Sequence, residues 1–252
     1  FLALWKPANS AEAEGVVILI PGAGENADWP QAIAPLRRKL PDAAWGTLSL
    51  SLPDVSVDTL PPRLIEPPKA AVDTSSKEGS TAAKPVEQAA SAEAEGTDPA
   101  VVPGADEQDK TDAKRIFDRI DAAVAFAQTQ NARSVVLLGH GTGAWWAARY
   151  LSEKQPSQVQ RLVMVAGKTP AARQPDLQQL APALKVPTAD VFYQEDAQDR
   201  KNAQERRQAA KRSKNDSYKQ VSLTALPGNS AAEQEQLYRR VRGWLSPQGG
   251  AD

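Results

Sequence analysis

Short apolar runs recur along the chain and predict buried strands. Residues 16–20, 134–138 and 161–166 are almost entirely apolar, as in strands covered on both faces of a parallel sheet. Residues 45–52 alternate polar and apolar side chains, which predicts a strand with only one face buried. Three more strands are predicted at residues 1–5, 186–193 and 218–225.

Between these runs the apolar positions recur every three or four residues, which predicts amphipathic helices. Ile33, Leu36 and Leu40 share one face of a helix over residues 29–40. The remaining helices are predicted from residue 111 onward, from 142 to about 153, and at 177–184, 198–214 and 231–245. Because strands and helices alternate, we expect an α/β fold with a mostly parallel sheet and helices on both faces.

One segment breaks this alternation. Residues 66–110 contain no Phe, Trp or Tyr, and their ten Asp and Glu against four Lys give a local net charge of −6. Too little apolar surface is available there to offset the entropy lost on ordering. We therefore predict a disordered acidic insertion in a single domain formed by residues 1–65 and 111–252. A flexible loop without a function is the simpler interpretation of this insertion.

Composition excludes several classes of protein. The 252 residues carry a net charge of −1, with no apolar run long enough to span a membrane, and this charge disfavours a globally basic nucleic-acid binder. The chain has no Cys and a single His, so neither a metal site nor a bound cofactor is predicted. Because the sequence starts without Met inside a predicted strand, we expect further residues ahead of Phe1 in the natural protein.

The turn after the strand at residues 134–138 carries the most specific signal. It consists of Gly139, His140, Gly141, Thr142 and Gly143 and leads directly into a helix. In an α/β-hydrolase the nucleophile stands at the centre of a Gly-x-Ser-x-Gly turn, but here the centre is a glycine without a reactive atom. The loop after the first buried strand, which contains Gly22, Ala23 and Gly24, is the candidate oxyanion-type loop.

The other two positions of a hydrolase triad are also incomplete. Glu195, Asp196 and Asp199 follow the strand that usually carries the acid, and Asp196 is the candidate residual acid. The loop that usually carries the base, residues 226–230, has no histidine. We interpret the hydroxyls of Thr142 and Ser230 as helix N-caps and predict that serine-hydrolase catalysis is lost.

Two weaker features lie near this turn. Gly139, Gly141 and Ala144 match a loose dinucleotide-binding pattern, but the pattern falls on a late strand and no acid follows the next strand to hold a ribose. Trp145 and Trp146 are interpreted as core residues, with ligand stacking as the alternative.

The helix at residues 198–214 has a net charge of +5. A solvated helix face is the simpler interpretation, and a contact site for a polyanion or an acidic protein is the functional one. The candidate basic surface consists of Arg200, Lys201, Arg206, Arg207, Lys211, Arg212 and Lys214.

Three segments carry a resemblance to a known family: residues 15–28, the turn over residues 137–144, and the Leu226-Pro227-Gly228 loop. They resemble an uncharacterised family of exported Gram-negative α/β-hydrolase-like proteins, known as a domain of unknown function, over nearly the whole chain outside the insertion. The resemblance implies a signal peptide ahead of Phe1 and a periplasmic location, and it supplies no substrate and no catalytic residue.

The leading hypothesis is therefore a pseudo-hydrolase that binds an unknown protein partner or an anionic ligand, in an oligomeric state that the sequence does not indicate. One alternative is a hydrolase or acyl-transferase with an atypical nucleophile, using Thr142 or an acid such as Asp196. Another is a polyanion-binding or nucleic-acid-binding module centred on residues 198–214, although nucleic acid is the less favoured ligand because almost no aromatic residues interleave with the charges.

Overall fold

The computed structural model of the chain describes residues 1–53 and 105–246 and contains one mixed sheet. Its strands, in chain order, are β1 (Ala3–Lys6), β2 (Gly15–Ile20), β3 (Trp45–Leu50), β4 (Val135–His140), β5 (Val159–Val165), β6 (Thr188–Tyr193) and β7 (Tyr218–Leu223). The helices are α1 (Ile33–Lys39), α2 (Ala105–Thr129), α3 (Thr142–Lys154), α4 (Leu177–Ala183), α5 (Ala197–Arg212) and α6 (Ser230–Leu245), and a 3-10 turn over Leu40–Ala43 follows α1.

The strands lie in the order β1-β3-β2-β4-β5-β6-β7. All neighbouring pairs are parallel except β1 and β3, which are antiparallel. Parallel strands need crossover helices, and these cover both faces: α2, α3, α4 and part of α5 pack on one side, and α1 and α6 pack on the other. The predicted α/β fold with a mostly parallel sheet is confirmed.

Strand β3 departs from the prediction of a half-buried strand, since all six of its residues are buried. Its polar positions avoid the cost of burial by hydrogen bonding to the main chain. The Thr47 hydroxyl donates to the Arg37 carbonyl oxygen at 2.9 Å, and the Ser49 hydroxyl donates to the Ala27 carbonyl oxygen at 2.6 Å. The alternation of polar and apolar residues therefore gave the wrong burial for this strand, because Thr and Ser can be buried when their hydroxyls are hydrogen bonded.

Helix α2 begins at Ala105, six residues before the predicted start, so residues 105–110 are helical although they fall in the predicted insertion. Ion pairs with other elements hold this first part in place. Arg149 and Arg173 both bind the carboxylate of Asp109, and Arg173 also reaches Asp112 at 2.8 Å. Burial alone would raise the pKa of Asp109, but hydrogen bonds from the two guanidinium groups hold it below the ordinary value. The rest of the predicted insertion, residues 66–104, lies outside the described residues, and the division into segments stays a prediction.

Candidate functional site

The sharp turn predicted after the central strand is present where β4 meets α3. Gly141 has φ 53° and ψ −123°, a left-handed conformation that L-residues adopt only under strain. A Cβ atom built on Gly141 would have the Gly22 Cα, 4.0 Å away, as its nearest neighbour. Gly141 therefore keeps both the conformation and the space for a nucleophilic side chain, but it has no side chain itself.

Hydrogen bonds to the neighbouring strand hold this turn rigidly. The Gly141 amide donates to the Val165 carbonyl at the end of β5, with an N–O distance of 3.0 Å. The Gly141 carbonyl accepts from the Lys168 amide, also at 3.0 Å. Both main-chain groups of Gly141 are thus used to fix the turn against β5.

Gly143 brings α3 into contact with the end of β2. A Cβ on Gly143 would lie only 2.3 Å from the carbonyl oxygen of Ile20 and 2.4 Å from that of Pro21. Only glycine allows this approach, because both clashing atoms belong to the main chain. The contact sets the candidate oxyanion-type loop, which starts at Pro21, directly beside the turn.

The side chain of Thr142 joins this loop to the turn, and the prediction that its hydroxyl caps α3 is wrong. The N-cap residue of α3 is Gly141, and no side-chain cap hydrogen bond is found at this helix end among the described residues. The Thr142 Oγ1 atom instead accepts a hydrogen bond from the Ala23 amide at 2.7 Å. In α/β-hydrolases an amide from the corresponding loop helps to form the oxyanion hole, so this hydroxyl occupies a donor that an oxyanion would need.

The one histidine lies beside the turn and is paired with Glu25, which the sequence analysis missed. The His140 Nδ1 atom is 2.7 Å and 2.8 Å from the two carboxylate oxygens of Glu25, and it is the donor because a carboxylate only accepts. The Glu25 Oε2 atom also accepts from the Gly22 amide at 2.7 Å. A largely buried imidazole needs a polar partner, and this need was the only sequence signal pointing to a carboxylate nearby.

The candidate oxyanion-type loop is consequently less open to a ligand than predicted. The amides of Gly22 and Ala23 are bonded to Glu25 and Thr142, so neither is available to an anion in this arrangement. Gly24 is exposed and has φ 74°. The Glu25 carboxylate adds negative charge to the crevice, which further opposes anion binding there.

The three carboxylates at the acid position, those of Glu195, Asp196 and Asp199, have different environments. Asp196 is exposed and is the N-cap of α5, and hydrogen bonds from the Asp199 and Gln198 amides lower its pKa. Glu195 accepts from the Ala225 amide at 2.8 Å. Asp199 is the buried carboxylate, and burial raises its pKa, while the charge of Lys168 works in the opposite direction. The predicted residual acid, Asp196, is thus engaged in holding a helix end.

Main-chain amides of the loop at the base position donate hydrogen bonds to the side-chain carboxylates of Glu195 and Glu233. The Leu226 amide donates to Glu233 at 3.1 Å, and the Ala225 amide donates to Glu195. The N-cap of α6 is Asn229, whose side chain accepts from the Ala232 amide at 3.1 Å, and Ser230 is the first helical residue. The interpretation of Ser230 as the cap is therefore wrong by one residue, because the amide oxygen of Asn229 already takes that role.

Trp145 and Trp146 both pack in the core rather than in the crevice. Trp145 is completely buried and Trp146 is 1% exposed, and their rings meet edge to face with centroids 4.7 Å apart. The Trp145 indole nitrogen donates to the Pro175 carbonyl at 2.8 Å, and the Arg149 guanidinium lies over the ring. Neither ring is available for stacking on a ligand.

The candidate basic surface on α5 is divided by the structure, and the placement of Arg206 on the surface is wrong. Arg206 is 1% exposed and binds Asp190 of β6 with two hydrogen bonds of 2.8 Å and 3.0 Å. The Tyr218 hydroxyl donates to the same carboxylate at 2.5 Å, and Gln220 donates at 3.0 Å. Burying Asp190 on β6 without a cation would cost far more free energy than burying it together with Arg206, and this difference accounts for the buried position of Arg206.

The other six basic residues are exposed but lie at different ends of α5, and Lys214 lies beyond the helix, which ends at Arg212, two residues before the predicted end. Arg200 donates to the Gln194 carbonyl near the start of the helix. Arg207, Lys211 and Lys214 line a groove at its far end. The remaining two are Lys201 and Arg212, which are exposed and are not among the residues lining that groove.

The strand order and the strained turn between β4 and α3 place the protein in the α/β-hydrolase fold class. MenH from S. aureus is similar over 96% of this chain and 97% of its own, with a TM-score of 0.60 and 10% identity. A monoacylglycerol lipase from Paleococcus ferrophilus covers 97% of each chain with a TM-score of 0.57 and 12% identity. A putative dienelactone hydrolase from Klebsiella pneumoniae subsp. pneumoniae MGH 78578 covers 96% and 91%, with a TM-score of 0.59 and 14% identity. At such low identity these likenesses establish the fold alone.

The chain belongs to the family described as protein of unknown function (DUF3530), whose model matches residues 1–247. No curated protein matches the sequence. Of the helices that lie within the described ranges, none combines the length and the apolar character that crossing a bilayer requires.

Proposed function

We propose that this protein is an α/β-hydrolase-fold protein without hydrolase activity, and that it binds an acidic protein partner or another anionic ligand through its outer surface. One observation carries the first part of the proposal. Gly141 keeps the strained conformation and the free space of a nucleophile position but offers no atom that attacks a substrate.

The surroundings of Gly141 support the same conclusion. The sequence has one histidine, and its Nδ1 atom is committed to Glu25 instead of facing the loop at residues 224–229. The amides of Gly22 and Ala23 already have acceptors within the protein. A crevice without nucleophile, base or free amides at this loop has lost the main sources of acyl-transfer catalysis.

The binding part of the proposal rests on the surface charge of α5. Arg207 and Lys211 near the end of α5 and Lys214 just after it line one groove, on a protein whose net charge is close to zero. Clustered cations attract acidic partners and accelerate their association. We further propose a periplasmic location, which rests on the resemblance of the sequence to exported proteins.

A second candidate function is favoured by the pairing of Glu25 with His140. An imidazole paired with a carboxylate can activate a nucleophilic hydroxyl, and Thr142, which carries a hydroxyl, lies two residues after His140 in the chain. In this alternative Thr142 attacks a substrate after giving up its contact with Ala23. This alternative requires that turnover depend on the side chains of both Thr142 and Glu25.

Hydrolysis of a panel of short activated acyl esters separates the two functions. We expect the wild-type protein, Thr142→Ala and Glu25→Gln to give initial rates indistinguishable from buffer, because no attacking group is available. Ser230→Ala serves as a matched control for removal of a hydroxyl at a helix start. Turnover in the wild-type protein that disappears in Thr142→Ala and Glu25→Gln but persists in Ser230→Ala would establish the atypical hydrolase.

A further inference from the structure

A basic groove lies where the end of α5 meets the start of β7. It has a volume of about 440 Å³, and four cationic side chains line it together with Asp216: Arg207, Lys211, Lys214 and Lys219. Arg207 and Lys211 lie one turn apart on the same face of α5, and Lys214 follows two residues after the end of the helix. Lys219 approaches from the strand, so two separate elements contribute positive charge to the same groove.

These four cations are unpaired in the part of the chain that the structure describes. None of them takes part in an ion pair or in a side-chain hydrogen bond there, and Asp216 does not come within salt-bridge distance of any of them. By contrast, Arg149, Arg173 and Arg206 all bind carboxylates. The helix dipole accounts for a cation such as Lys211 in the last turn, but it does not account for Lys219 on a strand.

The groove borders β7, which is an edge strand of the sheet formed by the described residues. Within the described residues β7 pairs only with β6. The carbonyls of Ser217 and Leu223 accept from Thr188 and Gln194, so the odd-numbered positions of β7 face β6. Because main-chain groups alternate along a strand, those of Gln220 and Ser222 point away from the sheet.

We propose that an extended acidic segment of a partner protein adds a strand to β7 and places its carboxylates against Arg207, Lys211, Lys214 and Lys219. This inference rests on the proposed binding function and names its site and its partner. Strand addition supplies main-chain hydrogen bonds to the open edge, and the charges select an acidic sequence.

An acidic peptide fits this site better than a nucleic acid does. The one aromatic residue in the lining, Tyr218, is buried, with its hydroxyl on Asp190, so it offers no face for stacking on a base. The Asp216 carboxylate opposes a continuous phosphate backbone, whereas a peptide can place a neutral residue opposite it. A sugar-phosphate chain also lacks the alternating N–H and C=O groups that pair with the edge of a strand.

The test measures fluorescence anisotropy of a labelled peptide of about eight residues with alternating Glu and Thr, which matches the length of a typical edge strand. We expect Arg207→Ala/Lys211→Ala to weaken binding about tenfold at low ionic strength, and we expect added salt to weaken binding to the wild-type protein. The matched control is Lys201→Ala/Arg212→Ala, which removes the same charge from the same helix outside the groove and should change affinity less than about twofold.

A second pair of variants tests strand addition separately from charge. Ser222→Pro removes an outward-facing amide without removing a bond to β6, and proline is tolerated at such edge positions. We expect Ser222→Pro to abolish peptide binding and Ser222→Ala to leave it unchanged. Amide hydrogen exchange in the wild-type protein should show new protection at Gln220 and Ser222 when the peptide binds.

Any of three results with the peptide would overturn the inference: no peptide binding, equal binding by Arg207→Ala/Lys211→Ala and its control, or unchanged binding by Ser222→Pro. Binding of a single-stranded oligonucleotide that is tighter than binding of the peptide would also overturn it in favour of a polyanion site. None of these results would bear on the proposal that the protein lacks hydrolase activity, because ester turnover is measured independently of peptide binding.

Discussion

Replacing Arg206 by methionine should lower the free energy of unfolding by about 3–5 kcal/mol. The substitution leaves the Asp190 carboxylate buried between β6, β7 and α5 without its cation, since both side chains are almost completely inaccessible. The hydroxyl of Tyr218 and the amide of Gln220 would remain, but two neutral donors do not neutralise a buried charge.

The matched control is Arg207→Met, which removes the same charge from the next position on α5. Arg207 is exposed and unpaired among the described residues, so its replacement should change stability by less than about 0.5 kcal/mol. Urea unfolding curves of the two variants and the wild-type protein give the comparison directly. Equal effects of the two substitutions would show that Arg206 is not held in a buried ion pair.

Replacing Gly143 by alanine should destabilise the protein by about 3 kcal/mol or more. The new methyl group would meet the carbonyl oxygens of Ile20 and Pro21 at distances far below van der Waals contact. Neither oxygen can move without displacing the end of β2, because both belong to the main chain of a central strand or of the residue that follows it.

Gly243→Ala provides the control in the same residue type and the same secondary structure. Gly243 lies in α6 and is exposed, and no atom of the described residues lies within 4 Å of a Cβ built on it. Alanine favours helices over glycine by about 0.5–1 kcal/mol, so this variant should be more stable than the wild-type protein. Thermal unfolding should therefore shift in opposite directions for the two alanines, and a stabilising Gly143→Ala would contradict the close approach of α3 to β2.

The sequence pattern predicted most of the fold because apolar periodicity reports directly on burial. The continuous run at residues 16–20 became the completely buried β2, and the alternation of strands and helices became a parallel sheet with two helical layers. Boundaries were less accurate where contacts between elements decide them. Helix α2 extends back to Ala105, with ion pairs from Arg149 and Arg173 holding its first part, and no local pattern encodes those partners.

The candidate site was only partly predictable for the same reason. The missing nucleophile at Gly141 is a local property of the sequence, and the structure keeps the turn that makes the absence meaningful. The contact between Thr142 and Ala23 joins residues 119 positions apart, and the local preference for a helix cap pointed elsewhere. The same holds for Glu25, whose partner His140 lies 115 positions away.

Arg206 was the one misassignment that the sequence itself could have corrected. Asp190 falls within a predicted strand of mostly apolar residues, and a carboxylate in such a position requires a cation. The predicted helix that follows carries seven basic residues, so one of them could be expected to face inward and pair with Asp190. Helical periodicity alone gave no means of deciding which one.

Intact-mass spectrometry after exposure to an activated fluorophosphonate tests the central claim most directly. The reagent forms a covalent bond with any hydroxyl that an enzyme has activated for attack, without requiring knowledge of the substrate. We expect the mass of the protein to stay unchanged, because Gly141 has no side chain and Thr142 Oγ1 is bonded to the Ala23 amide. A stoichiometric adduct on any residue of the crevice, and on Thr142 above all, would show that the crevice holds an activated nucleophile and would contradict the loss of hydrolase chemistry.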